Sequence, residues 1–145
     1  MSAIRRCAAC GQQNRVPAAH LSDIGRCGSC GGSLPALDSP LDVSSADFDS
    51  IVKQVRVPVL IDFWAPWCAP CRTAAPQVAR AARDGAGRSV VLKVNTQEHP
   101  ELAARFGVKG IPHFVVLRRG VVVGQQTGLV EHGRLSQLLA EAAEK

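Results

Sequence analysis

Six cysteines stand in this chain as three Cys-x-x-Cys pairs, Cys7/Cys10, Cys27/Cys30 and Cys68/Cys71. Two chemistries are open to such pairs: thiolates that hold a metal, and a dithiol that exchanges with disulfides. The pairs are not alike. Cys7-Ala-Ala-Cys10 and Cys27-Gly-Ser-Cys30 are separated by sixteen residues, a spacing that suits a four-thiolate zinc site. Each second cysteine is followed by glycine (Gly11, Gly31, Gly32). Glycine permits the positive φ that folds a knuckle and turns backbone N–H groups toward sulfur. Two reactive dithiols, or stray buried thiols, are the competing reading. One Zn2+ ion on Cys7, Cys10, Cys27 and Cys30 is favoured over it. His20 belongs to no knuckle and reads as a surface histidine.

The central pair sits differently. Val57 to Trp64 has the length and β-branched content of a buried strand, and from Cys71 onward Ala, Gln, Arg and Val favour helix. Cys68 and Cys71 therefore lie where a strand hands over to a helix N-terminus. Residues at i and i+3 share one helical turn, so the two sulfurs can reach bonding distance. Free N–H groups and the helix dipole favour a thiolate at Cys68. Pro70 is tolerated because first-turn N–H groups need no intrahelical partner. A thiolate beside a second thiol is equipped for thiol–disulfide exchange, with Cys68 as nucleophile and Cys71 as resolving thiol. The exchange calls for a partly exposed Cys68 and a shielded Cys71.

The elements that must position this pair are legible on either side of it. Leu41–Val43 suggests a short strand, and Ser44-x-x-Asp47 a helix cap. Phe48, Ile51, Val52 and Val55 form one apolar helical face. The helix from about Cys68 to Asp84 contains Pro76, which should kink it. Ser89–Asn95 reads as a buried strand, and a third helix covers about Pro100–Phe106. His113–Arg118 and Val121–Thr127 read as a hairpin joined by Arg119-Gly120, before a helix carrying Leu135, Leu138, Leu139, Ala142 and Ala143. This β-α-β-α-β-α-β-β-α order predicts an α/β fold, a mainly parallel sheet flanked by helices.

With these motifs in place, the chain from Leu41 to Lys145 resembles the thioredoxin family. Asp62-Phe-Trp-Ala-Pro-Trp-Cys-Ala-Pro-Cys-Arg72 matches its active-site signature, and Gly110-Ile111-Pro112 its cis-proline loop. The N-terminal cysteines are similar to those of the zinc-binding bacterial thioredoxin 2 subfamily. The resemblance implies a thioredoxin fold preceded by a four-cysteine zinc-ribbon-like domain. It implies divisions at 1–32 (zinc domain), 33–40 (linker) and 41–145 (thioredoxin domain). Asp62 would handle the resolving cysteine's proton, with Lys93 as its buried partner. Pro66, Trp67, Ile111, Pro112 and Gly128 would form the rim that receives substrate, and Trp64 would be core beside the site. Ala69 stands where the family usually has Gly, and with Pro70 it would tune the reduction potential. His113 follows where well-known members carry Thr. It reads as an inert hairpin-entry residue, with pH-sensitive substrate binding as the other possibility.

The implied function is a protein-disulfide reductase with disulfide-bonded proteins as substrates and thioredoxin reductase as electron donor; no cofactor is expected in catalysis. Charge argues against nucleic acid. Of the net +5, residues 1–40 contribute four Arg against two Asp. Four thiolates on one zinc dication would bring that segment to about zero, leaving no basic block. The first twenty residues lack a signal-peptide core, and no apolar run is long enough to cross a membrane. A cytoplasmic monomer is expected, whose two units touch little. The alternatives are an oxidase or isomerase, a zinc- and redox-responsive regulator or holdase, and an inert scaffold.

Overall fold

The computed structural model describes residues 2–145. The N-terminal segment forms two hairpins. Strands β1 (Ser2–Arg6) and β2 (Gln13–Pro17) pair antiparallel, as do β3 (Gly25–Arg26) and β4 (Ser33–Leu34), with a 3-10 turn at Ala18–His20 between the hairpins. Each hairpin carries one Cys-x-x-Cys at its turn. Gly11 and Gly31 take φ of +79° and +74°, the knuckle conformation expected of them.

A five-stranded mixed sheet follows, in the order β5 (Leu41–Asp42), β7 (Val90–Asn95), β6 (Val59–Trp64), β8 (His113–Arg118), β9 (Val121–Thr127). The first three strands are parallel, and β8 and β9 are antiparallel additions. Four helices complete it: α1 (Ser45–Gln54), α2 (Ala69–Asp84), α3 (Pro100–Arg105) and α4 (His132–Ala143). The Ser44 side chain caps α1 by accepting the Asp47 N–H at 3.3 Å. Pro76 lies inside α2.

Side-chain alternation divides the sheet into two buried layers. Val59, Ile61 and Phe63 of β6 pack toward α1 and α3 with Leu92, Val94, Val115 and Leu117. Leu60 packs toward α2 and α4 with Val91, Phe114 and Val116. Asp62 and Trp64 share the parity of Leu60, so the strand aims them at the α2 side.

The N-terminal segment departs from the loosely tethered unit expected of it. Ala3, Ala18, Leu21 and Leu37 are buried in the same cluster as Phe48, Ile51 and Val52 of α1. The Leu37 N–H donates to the Leu21 carbonyl at 2.8 Å. Nor is 33–40 free linker: Ser33–Leu34 is strand, and Ala36 and Leu37 are buried. The physical reason is size. A segment of this length has few apolar side chains of its own, so it completes its burial on α1.

Candidate active site

Cys68 and Cys71 form a disulfide with their Cα atoms 5.3 Å apart. Cys68 is the N-cap of α2, and its Sγ accepts the Cys71 N–H at 3.2 Å. One of the orphan donors of the helix terminus is thus aimed at the sulfur that would carry negative charge. Pro70 occupies the first turn as anticipated. Cys68 is less open than the exchange chemistry suggests, since as a residue it is only 4% exposed. The reason is its company. It packs with Ala65, Cys71, Trp64 and Ile111, and its Sγ lies 3.7 Å from the Ile111 carbonyl oxygen.

The residues expected to form the rim come from three loops. Trp67 is 69% exposed and Pro66 is exposed beside it. Ile111–Pro112 is a cis peptide. The Pro112 carbonyl accepts the Gly128 N–H at 2.9 Å, which brings Gly128 to the same rim. Ala69 is exposed at the head of α2.

Asp62 is 2% exposed, and its Oδ1 has no hydrogen-bond partner. Burial pushes its carboxyl up to about 7, Lys93 pulls it partly back, and Asp42 adds to the rise. Lys93 is paired with Asp62 in register across β6 and β7. Its Nζ, however, sits 4.6 Å from the centroid of the Trp64 ring, a cation–π position. Lys93 therefore acts on Asp62 through its field rather than through an ion pair within 4.0 Å. The direction Asp62 faces follows from the stripe of α2. Cys71, Ala74 and Val78 share one buried face, and Leu60 packs against Ala74 and Val78. Asp62 is two residues further along β6, toward the end of α2 where Cys71 sits.

His113 is buried, with Nδ1 2.8 Å from Thr127 Oγ1 and Nε2 3.0 Å from Gln125 Oε1. It is a fully bonded hairpin-entry residue that ties the segment after Pro112 to β9.

The second cysteine cluster is separate from the first. The Sγ atoms of Cys7, Cys10, Cys27 and Cys30 lie within 4.8 Å of one another, with Cys7–Cys30 and Cys10–Cys27 each at 3.6 Å. A zinc tetrahedron with bonds of about 2.3 Å separates its sulfurs by about 3.8 Å, so this donor set fits zinc. Ser29 N–H reaches Cys27 Sγ at 3.4 Å and Gly32 N–H reaches Cys30 Sγ at 3.3 Å. The Cys30 N–H, then the Asn14 amide and the Ser29 N–H, pull the Cys27 thiol down to about 6. His20 stands outside this cluster, bonded to Asp23 at 2.8 Å.

Comparison with known proteins places this arrangement. The thioredoxin family profile ("Thioredoxin") matches residues 39–141, and the profile "Thioredoxin 2, N-terminal", a zinc ribbon, matches residues 6–32. The chain belongs to the thioredoxin family. Thioredoxin C-3 of Corynebacterium nephridii is 35% identical over 133 residues, 92% of this chain and 90% of that one. Thioredoxin 1 of a Nostoc species is 40% identical over 103 residues, 71% of this chain and 96% of its own. Among solved structures, a mutant thioredoxin from Halobacterium salinarum superposes with a TM-score of 0.68 at 31% identity, covering 74% of this chain and 94% of that chain. Membership makes this thioredoxin-family chain a thiol–disulfide oxidoreductase with a zinc-ribbon N-terminal segment. No helix among the described residues is long and apolar enough to cross a membrane.

Sequence reasoning missed several residues of the site. Asn14 clamps the four-cysteine cluster, donating to Cys27 Sγ at 3.5 Å while its Oδ1 accepts the Gly28 N–H at 2.9 Å. Arg72 Nη1 donates to the Pro66 carbonyl at 2.8 Å. Thr96 donates its hydroxyl to the Trp64 carbonyl at 3.1 Å and lines a cleft beside Cys68 together with Lys109. A lone Asn in a short strand, or a lone Thr or Lys in a loop, carries no periodic signal, so only the assembled fold reveals them.

Proposed function

We propose that this chain is a cytoplasmic protein-disulfide reductase, acting as a monomer and re-reduced by a thioredoxin reductase. The reading is carried by one observation: a Cys68–Cys71 disulfide at the head of α2, with Cys68 packed against Ile111 and lining one cleft with Trp67 beside the cis Ile111–Pro112 peptide. In the dithiol form, Cys68 thiolate attacks one sulfur of a target disulfide. The target's other sulfur leaves as thiolate, and a mixed disulfide joins Cys68 to the target. Cys71 then gives up its proton, for which Asp62 is the acceptor, and attacks Cys68. That closes Cys68–Cys71 and expels the second target thiolate. Two electrons pass to the target, and the reductase returns them. A carboxyl with a pKa of about 7 suits this role, because it holds or accepts a proton near neutral pH.

Pro66, Trp67, Ile111, Pro112 and Gly128 hold the target strand, Lys93 sets the field at Asp62, and Ala69 and Pro70 tune the potential. Cys7, Cys10, Cys27 and Cys30 hold one Zn2+ ion, which cross-links the two hairpins and adds folding energy. Reduction of a protein disulfide by NADPH and a thioredoxin reductase tests the reading. The wild type is expected to be active and Cys68→Ser inactive, while Cys71→Ser accumulates mixed disulfides. Full activity in Cys68→Ser refutes it.

A second reading, a zinc- and redox-responsive regulator or holdase, draws support from the core shared between the ribbon and α1. Peroxide treatment of the full chain, read as zinc released against partner binding, tests it. Binding that does not change as zinc leaves removes it.

A further inference from the structure

A cleft of about 530 Å³ opens directly beside the dithiol, lined by Trp67, Cys68, Thr96, Val108, Lys109 and Ile111, among others. Its walls are apolar or neutral except at one point. Lys109 is the one charged residue lining it among the described residues, and it is exposed and in no ion pair there. The acids of the adjoining segment are turned elsewhere. Glu101 is bonded to Ser45, and Glu98 lies 3.9 Å from His99. Arg105, on α3, is held by Asp49 at 2.8 Å. A second cation, Arg72, sits on the rim with its guanidinium on the Pro66 carbonyl. The surface a substrate must cross to reach Cys68 is therefore an apolar floor with positive charge and no lining acid.

We propose that Lys109 is a specificity-determining residue, selecting disulfides flanked by an acidic side chain. The proposal rests on the disulfide-reductase reading and names its preferred substrate class. Lys109 and Cys68 line the same cleft, and an extended peptide advances about 3.3 Å per residue. A carboxylate one to three residues from the attacked cysteine thus falls within reach of the Lys109 ammonium. An apolar residue beside it would lie against Val108 and Trp67. Thr96 directs its hydroxyl proton to Trp64, which leaves the oxygen's lone pairs to accept a substrate N–H. The Lys109 contact is made on docking and does not change as sulfur attacks sulfur. It acts on KM rather than on the rate of the bound complex.

The test uses the full chain and three peptides that share one disulfide and carry Asp, Asn or Lys two residues from it. Wild type, Lys109→Ala and Lys109→Glu are compared in pre-steady-state reduction by the dithiol form. An exposed ion pair supports a preference of about threefold, so Asp over Asn over Lys should span about tenfold in wild type at low salt. The span should shrink in Lys109→Ala, invert in Lys109→Glu, and fade near 1 M salt, where charges are screened beyond about 3 Å. Rates at saturating peptide should stay alike. The same ranking in wild type and Lys109→Glu overturns the proposal while leaving the reductase reading intact. Failure to reduce any of the three peptides overturns both.

Discussion

Asp62→Asn is expected to remove a pH-dependent penalty from the fold. The carboxyl is 2% exposed, leaves Oδ1 without a partner, and has its pKa raised from 3.8 to about 7, chiefly by burial. The sign follows from linkage. A raised carboxyl pKa means that the unfolded chain loses its proton first. Well below the unfolded pKa both states are protonated and the site has no effect. From there up to the folded pKa the unfolded state gains ionisation that the folded state lacks, so stability falls by up to about 1.4 kcal/mol per pH unit. Above the folded pKa both states are ionised, and the accumulated penalty levels off at about 4 kcal/mol.

The amide of the variant cannot ionise and lacks this slope, although an unbonded buried amide has a fixed cost of about 1–3 kcal/mol. Urea titration of the oxidised full chain at intervals from about pH 5 to 8 measures the effect. The variant's stability relative to wild type should climb by about 2–3 kcal/mol across that range. Zinc-site protonation is common to both proteins and cancels in the difference. Turnover of the variant should fall at neutral pH. A stability difference that stays flat with pH refutes the claim that Asp62 is buried as an acid with a raised pKa.

Two further outcomes are expected. Purified chain should carry one zinc, and Cys10→Ser should lose it to a colorimetric chelator far more readily than wild type, because three thiolates hold the ion more weakly than four. Equal retention would remove Cys10 from the ligand set. Leu21→Ala, in the seam between the ribbon and α1, should lower the stability of the whole chain by about 2–4 kcal/mol, read by urea unfolding through tryptophan emission. A loss confined to zinc affinity would mean that the seam does not hold the two parts together.

The catalytic layer was legible because its elements are strongly periodic. Val59–Trp64, His113–Arg118 and Val121–Thr127 match their expected strands within two residues, and Ser44 caps α1 from the predicted position. The central dithiol was legible from its place at a strand-to-helix junction. The seam was not. Leu37 stands in a short stretch broken by prolines and serines, with no repeat to betray burial, and its partners on α1 lie beyond a turn and a strand. Lys93 shows a subtler limit. Its place in a strand could be read and its partnership with Asp62 was implied by the family resemblance, but the sheet register fixes only the backbone. The long side chain then chose the face of Trp64, where the ammonium meets a π-cloud and its stem stays covered. Thr96 and Lys109 acquire meaning only when two loops distant in sequence meet around Cys68.

The placement of Trp64 and Trp67 has a practical consequence. The chain has no tyrosine and no other indole, so its near-ultraviolet emission originates almost wholly within a short reach of the sulfur chemistry. One ring is packed against Cys68 and Lys93; the other stands open at the mouth. Breaking or closing the sulfur–sulfur bond, and docking a peptide over the outer ring, should each alter the light that leaves the molecule. The protein carries its own optical gauge, needing no dye.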